Sequence, residues 1–392
     1  MATKKTSGKS TGKRMTKAER RRRKQKKAAI LAIEAVVVVV LIIALYFITK
    51  LDVIHKTEIN DDEIITNQEE EGLLVDEEDV TINDNISGHM EGYRNIALFG
   101  VDARNNNLGK GALSDTIIIA SINEETKEVK LASVYRDTYL NLGNDTYSKA
   151  NAAYSQGGAK QAINMLNMNW DLNITDYVTV GWAAVADTVD ALGGIEIDVD
   201  EEELKHLNNY QVETSQSLGR SYTKLTQTGM VNLDGIQAVS YCRIRYTAGD
   251  DYKRAERQRE VIQALADKAQ ALALKDPAKL DKIANKVFPQ TATSLQLSEI
   301  LDLLKDIGAY EIVDTSGFPV AEYRTTKVLK GSGDSVIPVD LETNVLLMHE
   351  FLFDDVGDYK PSQAVQNYAE KIRSDTGTSK VESEPDNGGG SE

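Results

Sequence analysis

Residues 241–260, YCRIRYTAGDDYKRAERQRE, gather six basic side chains in a chain of 392 residues whose formal net charge is −16. Arg243 and Arg245 stand two apart, and Arg254, Arg257, Gln258 and Arg259 follow a Gly-Asp-Asp turn. If 241–245 is a strand, Arg243 and Arg245 share one of its faces. In a helix that opens near Lys253, Arg254, Arg257 and Gln258 fall at i, i+3 and i+4, on one face close to its N-terminus. Guanidinium groups grip phosphate oxygens with paired donors, and a helix N-terminus adds its own preference for an anion. The pattern therefore suits a bound phosphate. The alternative is a solvated charged face neutralised by Asp250, Asp251 and Glu256.

Acids and bases recur at other strand ends. Asp102 and Arg104 follow the apolar run NIALFGV, Asp115 opens SDTIIIASIN, and Arg136 with Asp137 closes EVKLASVY. Lys149 and Asn151 come next, in SKAN. Taken singly, each aspartate reads as a turn or cap residue. Taken together, two carboxylates beside several arginines and a lysine suit a diphosphate with a divalent cation, because Mg²⁺ takes one or two carboxylates and fills its shell with phosphate oxygens. Other chemistries find no support. His55, His89, His206 and His349 are scattered without metal-ligand spacing, and no nucleophile elbow, zinc-protease or Walker-type loop is present. The one cysteine, Cys242, rules out an internal disulfide. On a strand beside Arg243 it would point away from the arginine face as a small buried hydrophobe. Trp182, at a strand–helix junction, reads as core rather than as a stacking platform.

The elements that position these residues form a mixed pattern. YRNIALFGV, SDTIIIASIN and EVKLASV are strands, and the short EETK connection makes the last two antiparallel. A helix interrupted by glycines follows over 150–170, then a strand (DYVTVGW), a helix stopped by Gly193 and Gly194, and a strand (IEIDVD). After a polar stretch, 201–229, LDGIQAVSYCRIRY reads as a short helix running into a strand, and a long helix extends to about Lys275. Further helices near 279–287 and 297–307, strands near 311–315 and 326–329, and a closing helix from Asp340 continue the pattern. This predicts a single layered α/β domain with a mixed central sheet.

The ends differ in kind. Residues 1–27 carry thirteen of the 45 basic side chains and one of the 61 acidic ones, which leaves 32 against 60 for the remainder. The nearly uncharged run at 28–49 is long enough to cross a bilayer as one helix. It is too long for a signal peptide and no small-residue cleavage site follows. The basic flank puts the N-terminus in the cytoplasm, and it explains the basic tail without a nucleic-acid partner. The expected layout is a cytoplasmic tail (1–27), a transmembrane helix (28–49), an acidic extracytoplasmic stem (50–91), a catalytic domain (92–373) and a low-complexity, disordered tail (374–392).

NIALFGVDAR, LSDTIIIASIN, ASVYRDTYL, KANAAYSQGG, VDALGGIEIDV, LDGIQAVSYCRIR and GDDYKRAERQ occur in the order of the LytR-CpsA-Psr domain, which the chain resembles closely over about 92–270 and loosely to about 373. The resemblance implies a ligase at the outer face of a Gram-positive cell membrane. Such a transferase moves a wall glycopolymer, teichoic acid or capsular polysaccharide, from an undecaprenyl-diphosphate carrier to peptidoglycan through a phosphodiester. It implies that Asp102 and Asp115 position Mg²⁺ or Mn²⁺, and that Arg136, Arg243, Arg245, Arg254 and Gln258 bind the diphosphate with Arg104 and Lys149 close by. Asp251 then orients the arginines or acts as a base, with Asp137 the other candidate and a metal-only mechanism the third. An apolar groove for the lipid would be lined by the helices after Asn151 and around 182–192. One block departs from the family pattern: SVYRD carries Tyr135 where proline is common. A polyprenyl-diphosphate phosphatase or pyrophosphatase, and a non-catalytic regulator of wall metabolism, are the competing readings.

Overall fold

The computed structural model describes residues 55–56, 88–102, 108–143, 145–245, 250–276, 290–295 and 307–378, with single positions at 283, 287 and 303. The predicted span at 28–49, Arg104 and the helices expected near 279–287 and 297–307 lie outside these, apart from those single positions. Among the described residues no helix is long and apolar enough to cross a membrane.

The predicted mixed sheet is present, with seven strands in the order β1-β10-β7-β2-β3-β4-β11. These strands are β1 (His55–Lys56), β2 (Tyr93–Val101), β3 (Ser114–Asn123), β4 (Glu128–Val134), β7 (Asp176–Gly181), β10 (Thr291–Thr293) and β11 (Glu311–Phe318). β2, β3 and β4 form an antiparallel meander, whereas β2–β7 and β4–β11 are parallel. The β3–β4 turn is fixed by Asn123, whose side-chain oxygen accepts from the backbone N–H of Glu125 and Thr126, both at 3.0 Å. β1 lies within the stretch expected to be only a stem, and it pairs with β10 at the sheet edge.

Alternation along the strands divides the residues between two faces. Ala97, Phe99 and Val101 of β2, with Ile117 and Ile119 of β3, face a core closed by three helices: α1 (Asn151–Trp170), α6 (Leu341–Leu352) and α7 (Gln363–Thr376). α1 bends at Gly158, whose φ of 69° is the conformation glycine tolerates. Its C-cap, Asp171, receives hydrogen bonds from Tyr359 Oη and from the Ser362 backbone and hydroxyl, and so ties α7 to α1.

Ile96, Ile118, Ile122 and Leu131 face the other way, against Ile262 of a long helix, α5 (Asp250–Lys275). Between β7 and α5 the chain builds a smaller layer. It contains α2 (Trp182–Leu192), β8 (Ile195–Val199), α3 (Glu201–Leu218), β9 (Gly229–Leu233) and α4 (Gly235–Cys242), around Val189, Ile197, Leu207, Tyr241 and Val261. Three expectations change here. The polar stretch 201–229 contains the eighteen-residue helix α3, started by a reciprocal capping box between Asp200 and Glu203. The strand expected at 241–245 is absent: a second capping box, Asp234 with Gln237, starts α4, which runs to Cys242, and Arg243 caps it. Towards the C-terminus, β12 (Arg324–Leu329) pairs with an unforeseen strand, β13 (Gly333–Pro338), and the single closing helix is two, α6 and α7.

α4 packs backbone to backbone on α2, since a Cβ on Gly235 would stand 2.3 Å from the Ala186 carbonyl oxygen. Gly235→Ala is therefore expected to cost about 1–3 kcal/mol of stability through overpacking, read as a lower denaturant midpoint. An unchanged midpoint would show that α2 and α4 separate without cost.

Candidate active site

A cavity of about 840 Å³ opens between the second face of the sheet and helices α2 to α5. Both of its walls change character in the same direction. Along α5, Arg254 and Gln258 come first, followed at helical spacing by Val261, Ile262 and Leu265, all on the wall. This stripe runs about 16 Å along the helix axis. On the sheet, Asp102 and Asp115 lie at one end, beyond Leu98, Val178 and Val180. Gly100 and Thr116 share the wall, and a Cβ on Gly100 would meet the Thr116 hydroxyl at 2.8 Å. The space is an apolar channel that ends in charge, the shape of an amphiphile with an anionic head.

The charged end is built around one carboxyl. Asp251 Oδ1 lies 3.1 Å from Arg254 Nη1 and 3.7 Å from Arg245 Nε, while its Oδ2 lies 3.9 Å from Arg136 Nε. Arg136 also donates to Asp115 and stands 3.4 Å from Asp137, whose other oxygen is 3.0 Å from Lys149 Nζ. Asp137 and Asp251 share a hydrogen bond. Six predicted residues, Asp115, Arg136, Asp137, Arg245, Asp251 and Arg254, thus form one network, with Lys149 behind it and Gln258 one turn along α5. Lys149, on β6 (Tyr147–Lys149), serves Asp137 and, like Arg136, Asp137 and Asp251, stands behind the cavity wall, whereas Asp115, Arg245, Arg254 and Gln258 line it.

Electrostatics make the network unequal. Arg254 is only 4 % exposed. Burial lowers its pKa to about 10, against the pull of Asp251. Its Nε makes no hydrogen bond among the described residues, and its Nη1 and Arg136 Nε, although 3.1 Å from Asp251 and 3.4 Å from Asp137, are not aligned to form one. Buried donors without acceptors are costly and uncommon, and here they lie where a ligand oxygen would satisfy them. Burial, reinforced by the shared hydrogen bond with Asp137, pushes the Asp251 carboxyl up to about 6. Burial would raise Asp137 too, but the hydrogen bond from Asp251 and the charges of Arg136 and Lys149 hold it below the usual carboxylate range. Asp251 therefore keeps the proton of the pair.

Four predicted positions behave differently from expectation. Arg243, as a helix cap rather than a strand residue, does not join the Asp251 network. Its guanidinium lies 3.9 Å over the Trp182 ring and 5.3 Å from Tyr210, with Nη2 2.9 Å from Glu213 and Nη1 donating to Thr214 at 2.8 Å. Trp182 is consequently not core but a half-buried platform in the cavity wall. Cys242 lines the cavity beside Arg243 instead of pointing away from it. Burial, with Glu260 nearby, pushes its thiol up to about 12 and keeps it unreactive. Arg257 leaves the site altogether: its Nε donates to Glu203 at 2.7 Å and its Nη1 to the Ile244 carbonyl at 3.3 Å. The channel is lined by α2, through Ala184, Val185 and Thr188, but not by α1, which packs on the opposite face of the sheet. Neither Tyr210 nor Glu213 was foreseen, because α3 itself was not.

A cation fits this end only with help from a ligand. Among the described residues no group of three or more His, Cys, Asp or Glu side chains could hold a metal ion. Asp102 and Asp115 both line the charged end, and two carboxylates completed by phosphate oxygens are a donor set that suits Mg²⁺.

The chain matches the LytR_cpsA_psr family over residues 48–337. It belongs to that family. Among its relatives in the LytR-CpsA-Psr family, the polyisoprenyl-teichoic acid–peptidoglycan teichoic acid transferase TagU of Enterococcus faecalis is 32% identical over 213 residues, 54% of this chain and 64% of that one. TagV of Bacillus subtilis, named for the same transfer, is 29% identical over 199 residues, 50% of this chain and 48% of that one. The matches thus span about half to two thirds of these curated relatives. The crystal structure of B. subtilis TagV superposes with a TM-score of 0.52 at 26% identity, covering 69% of this chain and 98% of that one.

The orphaned donors of Arg254 predict its role in binding. Arg254→Ala should weaken binding of farnesyl diphosphate, followed by calorimetry, about ten- to a hundredfold, the range for losing charge-assisted hydrogen bonds. Lys253→Ala, whose ammonium pairs with Glu256 at the surface, should leave it unchanged. Equal affinities for wild type and Arg254→Ala would remove the diphosphate from this end of the channel.

Proposed function

We propose that this protein transfers a glycopolymer, teichoic acid or a related wall polysaccharide, from a polyprenyl-diphosphate carrier to peptidoglycan. The observation that carries this reading is a cavity in which an apolar channel ends at the buried Arg254, whose Nε has no hydrogen bond among the described residues. A polyprenyl chain fills the channel and its diphosphate meets the arginines. The names of the TagU and TagV relatives point to the same substrates.

In the proposed step, a hydroxyl of a peptidoglycan sugar attacks the phosphorus that bears the polymer. The new P–O bond forms a phosphodiester, the bond to the bridging oxygen breaks, and polyprenyl phosphate leaves. Charge grows on the equatorial and leaving oxygens, and Arg136, Arg245 and Arg254 are already held to receive it without reorganisation. Asp102 and Asp115 would hold a divalent cation, which would supply further positive charge to this end of the site. Arg243 stands on the cavity wall apart from the Asp251 network, held there by Glu213, Thr214 and the Trp182 ring. The hydroxyl proton goes to the Asp137–Asp251 pair, with Asp251 as the more basic member.

Localisation follows from the termini. The apolar run at 28–49, with thirteen basic residues before it and an acidic stretch after it, supports one span with the N-terminus inside and the catalytic domain outside the cytoplasmic membrane. The carrier lipid would then reach the channel from the outer leaflet.

The test is transfer of a lipid-linked teichoic acid precursor to peptidoglycan oligomers in vitro. Joined product is expected, whereas release of phosphate without an acceptor would reassign the site to hydrolysis. The pH dependence follows from Asp251. Below about pH 6 the pair holds its proton and cannot accept another, so the rate should rise through pH 6 and level off above it. Asp251→Asn should lower turnover about 10²–10⁴-fold, the usual worth of a positioned acid–base group. A flat pH profile together with a fully active Asp251→Asn would leave the base elsewhere.

A further inference from the structure

The carboxyl pair is bracketed by two tyrosines that the reaction itself does not use. Tyr135 immediately precedes Arg136 and Asp137 at the end of β4, and Tyr252 immediately follows Asp251 at the start of α5. Their rings meet edge to face with centroids 4.7 Å apart and an interplanar angle of 73°, a favourable aromatic geometry. Arg324, at the first residue of β12, closes the arrangement. Its guanidinium lies 3.5 Å over the Tyr252 ring and 5.0 Å from the Tyr135 ring. Its Nη1 donates to the Pro319 carbonyl at 2.9 Å and to the Tyr135 hydroxyl at 3.3 Å.

Two further details show that room is made for Tyr135. A Cβ on Gly317 of β11 would stand 2.3 Å from the Tyr135 hydroxyl, so the ring occupies space that only glycine leaves open. The Tyr135 backbone N–H donates to the Phe318 carbonyl at 3.0 Å, extending the β4–β11 ladder by a bond that proline at this position could not make.

From this geometry we infer that Tyr135, Tyr252 and Arg324 form a clamp of positioning residues that sets the distance between Asp137 and Asp251. The inference rests on the transfer reading for its kinetic consequence, but not for its structural one. Among the described residues Arg324 pairs with neither carboxyl and does not line the cavity, so it acts through the rings. The stack needs a planar cation, which lysine does not supply, and it needs aromatic faces rather than phenolic hydroxyls at position 252.

The experiment compares Arg324→Lys, Tyr252→Leu and Tyr252→Phe with wild type in three measurements. In the transfer assay, Arg324→Lys and Tyr252→Leu should lose about ten- to a hundredfold in kcat, as small misplacements of a reacting group do, with KM for the lipid-linked donor unchanged. Tyr252→Phe should keep wild-type kcat. Affinity for farnesyl diphosphate, measured by calorimetry, should be the same for all four proteins, because the phosphate-facing arginines are untouched; a loss confined to Arg324→Lys and Tyr252→Leu would make the cluster part of the binding site and overturn the clamp. Crystal structures should show Asp137 and Asp251 parted in Arg324→Lys and Tyr252→Leu but not in Tyr252→Phe. An unparted pair in either disruptive variant overturns the inference whether or not any protein is active. Wild type that binds the probe and shows the clamp but transfers nothing would instead sink the transfer reading alone.

Discussion

The buried guanidinium of Arg254, short of aligned acceptors, is the constraint on which the rest of this structure depends. Arg254, Arg245 and Arg136 converge on Asp251, and a buried charge without full hydrogen bonding is costly. The neighbouring carboxylates, Asp115 and Asp137, offset part of the positive charge through Arg136. Arg136 sits at the end of a central strand and Arg254 in the second turn of a 26-residue helix. Arg257 plays a supporting part: anchored to Glu203, it donates to the Ile244 carbonyl, between Arg243 and Arg245. Glu203 is also half of the capping box that starts α3. One carboxylate thus connects the start of a helix with the loop that presents two arginines.

The two faces of the sheet divide the labour. One face is closed by α1, α6 and α7 over a core that includes Trp170, Tyr154, Phe99 and Met348. Stability is concentrated there, by burial of large apolar side chains. The other face stays partly open because small residues, Gly100 and Ala184, take wall positions where larger ones would fill the channel. Its apolar lining is therefore not a packing defect but unpartnered surface, which in a stable protein is retained for a ligand.

Much of this was legible in the sequence. Strands β2 to β4, with their apolar runs IALFGV, IIIA and VKLASV, announce themselves, as do the glycine-stopped α2 and the charged start of α5. Helix α3 was not legible, because its buried stripe consists of Leu207, Gln211, Thr214 and Ser215, and a mostly polar stripe carries no hydrophobic period. The YCRIRY stretch misled for the opposite reason: alternating bulky residues imitate a strand, while the capping box seven residues upstream had already committed the chain to a helix. Convergence of the arginines was nevertheless recognisable from composition at strand ends, although Arg243 reaches the cavity by a different route and Arg257 does not reach it at all. Which helix lines the channel is a matter of handedness and layer, and no local pattern encodes it.

Tyr135 shows how a departure from a motif can be absorbed. Where proline is common, the backbone N–H is lost and the ring fixes the local φ and restricts the residue before it. Here the N–H joins a ladder bond to Phe318, and the side chain takes over the constraint by packing on Tyr252 under Arg324. The cost falls on a neighbour, since Gly317 has to stay without a side chain. The same Arg136–Asp137 pair is then presented by tertiary contacts instead of by local stiffness. Such an exchange links β11 and β12, far along the chain, to the geometry of the carboxyl pair. The C-terminal third of the domain is therefore part of what holds the site in register, and not an appendage to it.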